Sequence, residues 1–425
     1  MELTTEQSAA LKTIRKVVTT TQSRSQIMVL RGYAGTGKTT MLKVVRDAVG
    51  DIVVLAPTGK AASRVSEATG IPAQTIHRWL YNHRYDEVSD SFERSLKPPA
   101  ELEKSASMLI VIDEASMLDA DIWEDIFTAA MSIGNHILLV GDPFQLPPVS
   151  KSERGYFSVL DDEFSADYTM DLTEIRRQAL DNPIIRSSML LRQGDSFGGL
   201  LDLPNIKVAD LTDKARSVYQ NGGITICHRN GTRNEINRRV RASLGYPANL
   251  LVEGEPLLVL RNNEALEVFN GQTVQFNGEL GPRRNLIYLD RFNDNEKVSV
   301  HYGQVDVDVP VKTKVYLCYD QVLATVDQKF HSSIAFHAQK DMGLNRKGAQ
   351  VTDKAFLQAA VGYVATCHKF QGSQAGEVLV VVEPSIGINT HDGRRWLYTA
   401  ITRSSDKVWL CNVRGEFNEY NPRRQ

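Results

Sequence analysis

The 425 residues are enough for roughly two to four domains, each with a core of its own. Lys and Arg number 49 against 51 Asp and Glu, a net charge of −2, so a polyanion would have to meet a local basic groove and not a basic surface. No apolar run approaches membrane-spanning length, the polar, acidic start is no signal peptide, and Cys227, Cys318, Cys367 and Cys411 show no C-x-x-C spacing, which argues for a cytoplasmic protein with reduced thiols and against zinc.

Residues 3–18 carry apolar side chains near helical spacing, with Thr4 or Thr5 as the cap and Glu6 in the first turn. Gln7 stands just inside, and taken alone it is a solvated helix residue. Ile27-Met28-Val29-Leu30 predicts a buried strand and Met41 to Val45 a helix. Between them, residues 32–39 read Gly-Tyr-Ala-Gly-Thr-Gly-Lys-Thr, the spacing of a phosphate-binding P-loop. Gly32, Gly35 and Gly37 let backbone amides close on phosphate oxygens. Lys38 supplies a point charge for the β- and γ-phosphates, and the Thr39 hydroxyl suits Mg²⁺. The N-terminus of the following helix would face the anion.

Residues 52–56 form a second apolar run, ended by Pro57-Thr58-Gly59-Lys60 and followed by a helix from Ala61 to Ala68. Thr75 to Leu80 closes that segment. Residues 81–106 are polar, with Tyr81, Tyr85 and Phe92 among Arg84, Arg94 and Lys97, and predict an inserted hairpin or loop. Such aromatics stack on bases beside phosphate-neutralising charge, or serve as anchors of an ordinary solvated loop. Met108 to Ile112 is a continuous apolar strand ending in Asp113-Glu114. A carboxylate pair there suits Mg²⁺ binding by Asp113 and proton acceptance from an attacking water by Glu114. The strand Ile137 to Val140 runs into Gly141-Asp142-Pro143-Phe144-Gln145, where a glutamine can sense the γ-phosphate or, alone, be a plain turn residue.

Residues 171–177, Asp-Leu-Thr-Glu-Ile-Arg-Arg, precede a helical stretch through Arg192. Ile224 to Cys227 predicts a strand and Asn234 to Leu244 a basic helix. Residues 265–318 change to β-branched alternation with turns at Asn270-Gly271 and Asn277-Gly278, a small antiparallel module. The α/β pattern returns at Val361, with strands at Glu377 to Val382 and Val408 to Cys411 and a helix from Trp396 to Thr402. Arg403 would complement the negative end of that helix.

The order of these pieces resembles superfamily 1 helicases, and within them the RecD-like and phage Dda-like branch. The resemblance implies an α/β fold of two RecA-like P-loop domains with parallel sheets. Domain 1 is residues 1–80 and 107–170, and domain 2 is 171–264 and 361–425. Residues 81–106 become a duplex-splitting pin with Phe92 as its tip, and 265–360 an SH3-like β insertion. Gln7 becomes an adenine reader, and Gly35, Thr36, Gly37, Lys38, Thr39 and Thr40, with Gln371 and Gly372, contact ATP. Thr39 and Asp113 hold Mg²⁺, Glu114 is the base and Gln145 the γ-phosphate sensor. Arg177, with Arg176 as the alternative, and Arg403 are arginine fingers. Pro57, Thr58, Lys60 and His77 in the first domain, and Thr366 and His368 in the second, face DNA.

The implied activity is ATP-dependent translocation 5′ to 3′ on single-stranded DNA, with unwinding at single-strand/duplex junctions, by a chain that works as a monomer. ATP would lie in the cleft between the domains. An RNA-directed helicase, a translocase without unwinding and a P-loop ATPase with no nucleic-acid substrate stay open. ATPase measured with and without DNA and RNA separates them.

Overall fold

The computed structural model describes residues 3–20, 24–86, 91–102, 109–148, 157–175, 181–194, 203–263, 266–290, 296–311, 315–323 and 356–413. The chain divides into two compact units, Met1–Asp202 with Ile388–Thr402, and Leu203–Gly387 with Arg403–Gln425. Residues 171–202 and 388–402 thus group with the first unit, although the sequence boundaries put them with the second domain.

The first unit is built on strands β1 (Ile27–Gly32), β2 (Val53–Ala56), β3 (Ala73–Thr75), β6 (Leu109–Ile112), β7 (His136–Gly141) and β8 (Tyr168–Leu172). They pair in the order β3-β2-β6-β7-β1-β8, and every pairing is parallel. Alternate residues divide between two cores, as the period of a strand requires. Met28, Leu30, Val54, Leu109, Val111, Leu138 and Val140 pack with Ile14, Met41, Leu42 and Val65. Val29, Leu55, Ile110, Ile112, Ile137 and Leu139 pack on the other face with Ile76, Trp79, Ile122 and Ile126. Helices α1 (Thr5–Thr19), α2 (Lys38–Val49) and α3 (Gly59–Thr69) therefore cover one face, and α4 (Ile76–Leu80) and α6 (Ala120–Ser132) the other. A sheet covered on both faces explains why its strands are continuous apolar runs. Two more helices belong to this unit, α7 (Pro183–Gln193) and α11 (His391–Ile401). The latter starts five residues before Trp396, because Thr390 caps it with a hydrogen bond from Gly393 N.

The expected hairpin is present. Strands β4 (Tyr81–Asp86) and β5 (Ser91–Leu96) are antiparallel, with Tyr81 opposite Leu96 and Asp86 opposite Ser91. Its base is fastened to the unit: Lys97 N donates to Leu80 O at 2.8 Å, and the Tyr81 hydroxyl to Asp125 Oδ2 at 2.5 Å. Asn82 Nδ2 donates to Glu101 Oε2, 3.2 Å away on the short helix α5 (Pro99–Leu102).

The second unit has its own parallel sheet, β17-β10-β18-β19-β9, from β9 (Asn205–Ile206), β10 (Ile224–Cys227), β17 (Val364–Thr366), β18 (Ala375–Val382) and β19 (Ser404–Asn412). Helices α8 (Leu211–Gln220) and α9 (Asn230–Ser243) pack on it. An antiparallel sheet is inserted: β11 (Pro256–Val259), β12 (Thr273–Glu279), β13 (Arg284–Asp290), β14 (Glu296–Val307), β15 (Val315–Cys318) and β16 (Ala359–Val361). The one-turn helix α10 (Tyr319–Val322) follows β15. No helix among the described residues is long and apolar enough to cross a membrane.

Candidate active site

The P-loop occupies the turn from β1 to α2. Gly35 and Gly37 both stand at φ +83°, a left-handed conformation that suits residues without a Cβ. Gly37 is also the N-cap of α2, so the amides at the start of that helix open into the loop. Lys38 Nζ donates to the carbonyls of Gly32 at 2.6 Å and Tyr33 at 3.0 Å, and lies 4.0 Å from Asp142 Oδ2. Thr39 and Thr40 are the next two residues of α2. The Thr36 hydroxyl donates to Tyr33 O at 2.9 Å.

Gln7 is 1% exposed, so the solvated reading does not hold. It forms a capping box with Thr4: Oε1 accepts from Thr4 N at 3.1 Å, and Gln7 N donates to Thr4 Oγ1. Its Nε2 donates to Thr36 O at 2.9 Å, which joins the N-terminus of α1 to the P-loop. Each end of the amide keeps one further hydrogen-bonding position. Glu6, beside it, accepts from Thr173 N, Thr173 Oγ1 and Glu174 N.

Asp113 and Glu114 follow β6 and are both buried. Burial, then the neighbouring Glu114 charge, push the Asp113 carboxyl up to about 6, while Arg64 and Lys38 act against this. Asp113 Oδ2 has no hydrogen-bond partner among the described residues. A buried, unengaged carboxylate oxygen is the hard donor that Mg²⁺ takes, so the residue fits the ion. Glu114 adopts φ +53°, and a non-glycine residue held there costs about 1–3 kcal/mol, a strain that collects at active sites. Its Oε1 lies 3.4 Å from Nη2 of Arg64, a residue of α3 that was not among the expected site residues.

The loop after β7 carries Asp142 and Gln145, both buried. Helix α11 holds this loop with three side chains at positions i, i+3 and i+4. Arg395 donates to Gln145 O through Nε at 3.1 Å and Nη2 at 2.7 Å, and to Pro143 O at 3.2 Å. The Tyr398 hydroxyl donates to Asp142 Oδ2 at 2.5 Å and accepts from Ala34 N of the P-loop at 2.9 Å. Thr399 Oγ1 accepts from Leu146 N at 2.9 Å. Neither Arg395 nor Tyr398 was a candidate in the sequence, although their spacing with Thr399 puts the three on one face of the helix. The first unit therefore brings together Gln7, the P-loop, Asp113, Glu114 and Gln145 at the carboxyl ends of β1, β6 and β7, where ligands of open α/β sheets bind.

Of the first unit's candidate DNA contacts, Pro57 and Thr58 follow β2, and Thr58 caps α3 by accepting from Ala61 N at 3.2 Å. Burial brings the Lys60 ammonium down to about 8. His77 lies on α4, its ring tilted against Tyr81 at 5.5 Å. Phe92 lies in β5 opposite Tyr85, and its side chain is outside the described residues. Arg176 and Arg177 also lie outside them.

The second unit holds the rest. Thr366 ends β17, His368 opens the 3₁₀ turn to Phe370, and Gln371 and Gly372 follow, the latter at φ +72°. Burial and neighbouring His228 lower the His368 pKa. His228, just beyond β10, has Nδ1 3.2 Å from Ser385 Oγ and is a further polar group missed in the sequence. Arg403 is buried, and its carbonyl accepts from Ala375 N at 3.0 Å. The helix stops at Ile401 with Thr402 as its C-cap, so Arg403 is the next residue, in the turn into β19.

A family model described as an AAA domain matches residues 2–204, and one described as a UvrD-like helicase C-terminal domain matches residues 361–411. The ATP-dependent RecD2 DNA helicase of Deinococcus radiodurans is 28% identical over 403 residues, covering 90% of this chain and 46% of that protein. The ATP-dependent DNA helicase dda of Enterobacteria phage T4 is 28% identical over 199 residues, covering 45% of this chain and 43% of that one. The chain spans less than half the length of these two relatives. Among solved structures, the Pif1 helicase from Bacteroides in complex with ADP-AlF3 and ssDNA is similar in fold. Its TM-score is 0.54 at 20% identity, with 98% of this chain and 93% of that one covered.

Proposed function

We propose that the chain is an ATP-driven DNA helicase of superfamily 1, of the RecD-like and Dda-like type, that moves 5′ to 3′ on single-stranded DNA. The observation that carries the reading is the gathering of Lys38, Asp113, Glu114 and Gln145 at the carboxyl ends of neighbouring parallel strands. Glycine-rich backbone and Lys38 cradle the β- and γ-phosphates. Asp113 and Thr39 hold Mg²⁺, which neutralises phosphate charge when bound. Glu114 takes the proton of the attacking water, and Gln145 reports the γ-phosphate. Gln7 reads the adenine, with Gln371 and Gly372 as further nucleotide contacts. Arg177, or Arg176 in its place, and Arg403 add positive charge to the transferring phosphoryl group in the transition state.

ATP binding favours closure of the two RecA-like domains, and hydrolysis with product release permits opening. Pro57, Thr58, Lys60 and His77 grip the strand in alternation with Thr366 and His368. Contacts of this kind fall on phosphates, so binding tolerates sequence and weakens with salt. The hairpin splits the duplex at its junction with the single strand. The chain acts as a single copy, in the cytoplasm of a bacterium or a phage-infected cell.

Two assays test the proposal. Steady-state ATP hydrolysis should rise with single-stranded DNA and less with RNA. Strand displacement should succeed on duplexes with a 5′ tail and fail on those with only a 3′ tail. Efficient unwinding from the 3′ tail alone would overturn the direction, and a rate indifferent to any nucleic acid would overturn the helicase reading.

A further inference from the structure

Lys38 opens α2 directly after the loop that follows β1, and Gln145 sits in the loop after β7. A transferring phosphoryl group needs both in register, because a misplacement of about 1 Å can cost roughly 100-fold in rate. Backbone pairing of β1 with β7 fixes the strands only as far as Arg31 and Gly141. Beyond these residues something else must set the separation of the loops.

One hydroxyl bridges them. Tyr398 is fully buried, and its oxygen donates to Asp142 Oδ2 at 2.5 Å while it accepts from Ala34 N at 2.9 Å. Burial and the adjacent Asp142 charge hold the phenol well above its ordinary pKa, so the proton stays on the tyrosine and the aspartate is the acceptor. Asp142 is tied to its own loop as well, since Oδ1 accepts from Phe144 N at 3.0 Å. The ring has a separate packing role, edge-on to Phe144 at 5.2 Å between centroids. Hydroxyl and ring can therefore be tested apart.

We propose that Tyr398 is a positioning residue for ATP hydrolysis, whose hydroxyl sets the P-loop and the Gln145 loop in register through Ala34 and Asp142. The proposal rests on the reading of this site as an ATPase. Tyr398 touches no reacting atom in it. Arg395 and Thr399, on the same helical face, hold the next residues of the loop and give the tyrosine a fixed platform.

The test uses the full chain with single-stranded DNA and compares wild type, Tyr398→Phe, Asp142→Ala and the double variant, with Lys38→Ala as the inactive control. The phenylalanine keeps the ring and removes only the bridge. The expected result is a fall in kcat of roughly 10-fold or more with KM within about threefold, since the loss falls on transition-state geometry and not on ground-state binding. The double variant should be no slower than the worse single one, because both substitutions cut the same link. DNA affinity of Tyr398→Phe should stay near that of wild type and its melting temperature should fall by only several degrees, leaving it folded in the assay, whereas a loosened fold would move DNA affinity with KM. A Tyr398→Phe kcat within about twofold of an active wild type, or single effects that multiply in the double variant, would overturn the positioning role alone. A wild type no faster than Lys38→Ala would overturn the ATPase reading, and this proposal with it.

Discussion

Gly37→Ala measures what the P-loop demands of its backbone. The residue stands at φ +83°, where an L side chain costs about 1–2 kcal/mol. An added Cβ would also lie 2.7 Å from Gln7 Nε2, so the glutamine must leave the loop and lose its bond to Thr36 O. A buried hydrogen bond of this kind contributes about 1 kcal/mol, which brings the total to roughly 2–3 kcal/mol. In a unit of this size that lowers the melting temperature by roughly 4–12 °C. Gly70 supplies the comparison, because it stands at φ +71° with nothing among the described residues within 4 Å of a Cβ. Gly70→Ala should show the backbone cost alone. Denaturant titration of Gly37→Ala, Gly70→Ala, Gln7→Ala and the Gly37→Ala/Gln7→Ala pair separates the contributions. With Gln7 already truncated, Gly37→Ala should cost no more than Gly70→Ala. If Gly37→Ala is as mild as Gly70→Ala in the intact background, or unaffected by Gln7→Ala, the contact between loop and glutamine has no energetic weight.

Glu114→Gln should bind ATP and Mg²⁺ normally, hydrolyse on the order of 100-fold more slowly and retain DNA tightly in the ATP state; loss of nucleotide binding in a folded variant would count against the base assignment. Arg403→Ala should lower the DNA-stimulated rate on the order of 1,000-fold with little change in ATP affinity, and the same comparison for Arg176→Ala and Arg177→Ala identifies the other finger. A normal rate in Arg403→Ala would leave that residue a structural part of the turn into β19. Replacing residues 83–94 by a Gly-Ser turn keeps the pairs of Tyr81 with Leu96 and Asn82 with Ser95. It should spare DNA-stimulated ATPase and reduce strand separation, and equal loss of both would show that the hairpin grips the strand or supports the fold.

The parts of the site legible in the sequence are those whose chemistry is local. Residues 32–39 announce a phosphate loop because glycine spacing, lysine and hydroxyl all fall within one turn, and Asp113-Glu114 is marked by the apolar strand before it. Gln7 was legible only through resemblance. Its burial depends on the loop 29 residues away, which helical periodicity does not report. Arg64 carries no local signal of a place in the ATP site, and its position beside Glu114 follows from the parallel pairing of β2 with β6. The arginine and tyrosine of α11 contact residues more than 250 positions earlier in the chain. The alternation in 265–318 predicted an antiparallel module, and the six-stranded sheet agrees, but no local pattern specifies how such a sheet curves.

The hairpin leaves and rejoins the first unit at one place. Leu80 and Lys97 are joined backbone to backbone, and Tyr81 and Asn82, at the start of β4, fasten that strand to α6 and α5. Such an element is a cassette. Its shaft can be lengthened, shortened or exchanged for another without pulling on the six-stranded sheet, because the entropy of closing the loop is met at the base and changes slowly with length. If the hairpin is the duplex-splitting element proposed above, chains sharing this socket would differ in the obstacle they present while keeping the same ATPase unit, and a shaft transplanted from a relative should fold on this one without compensating changes in the core.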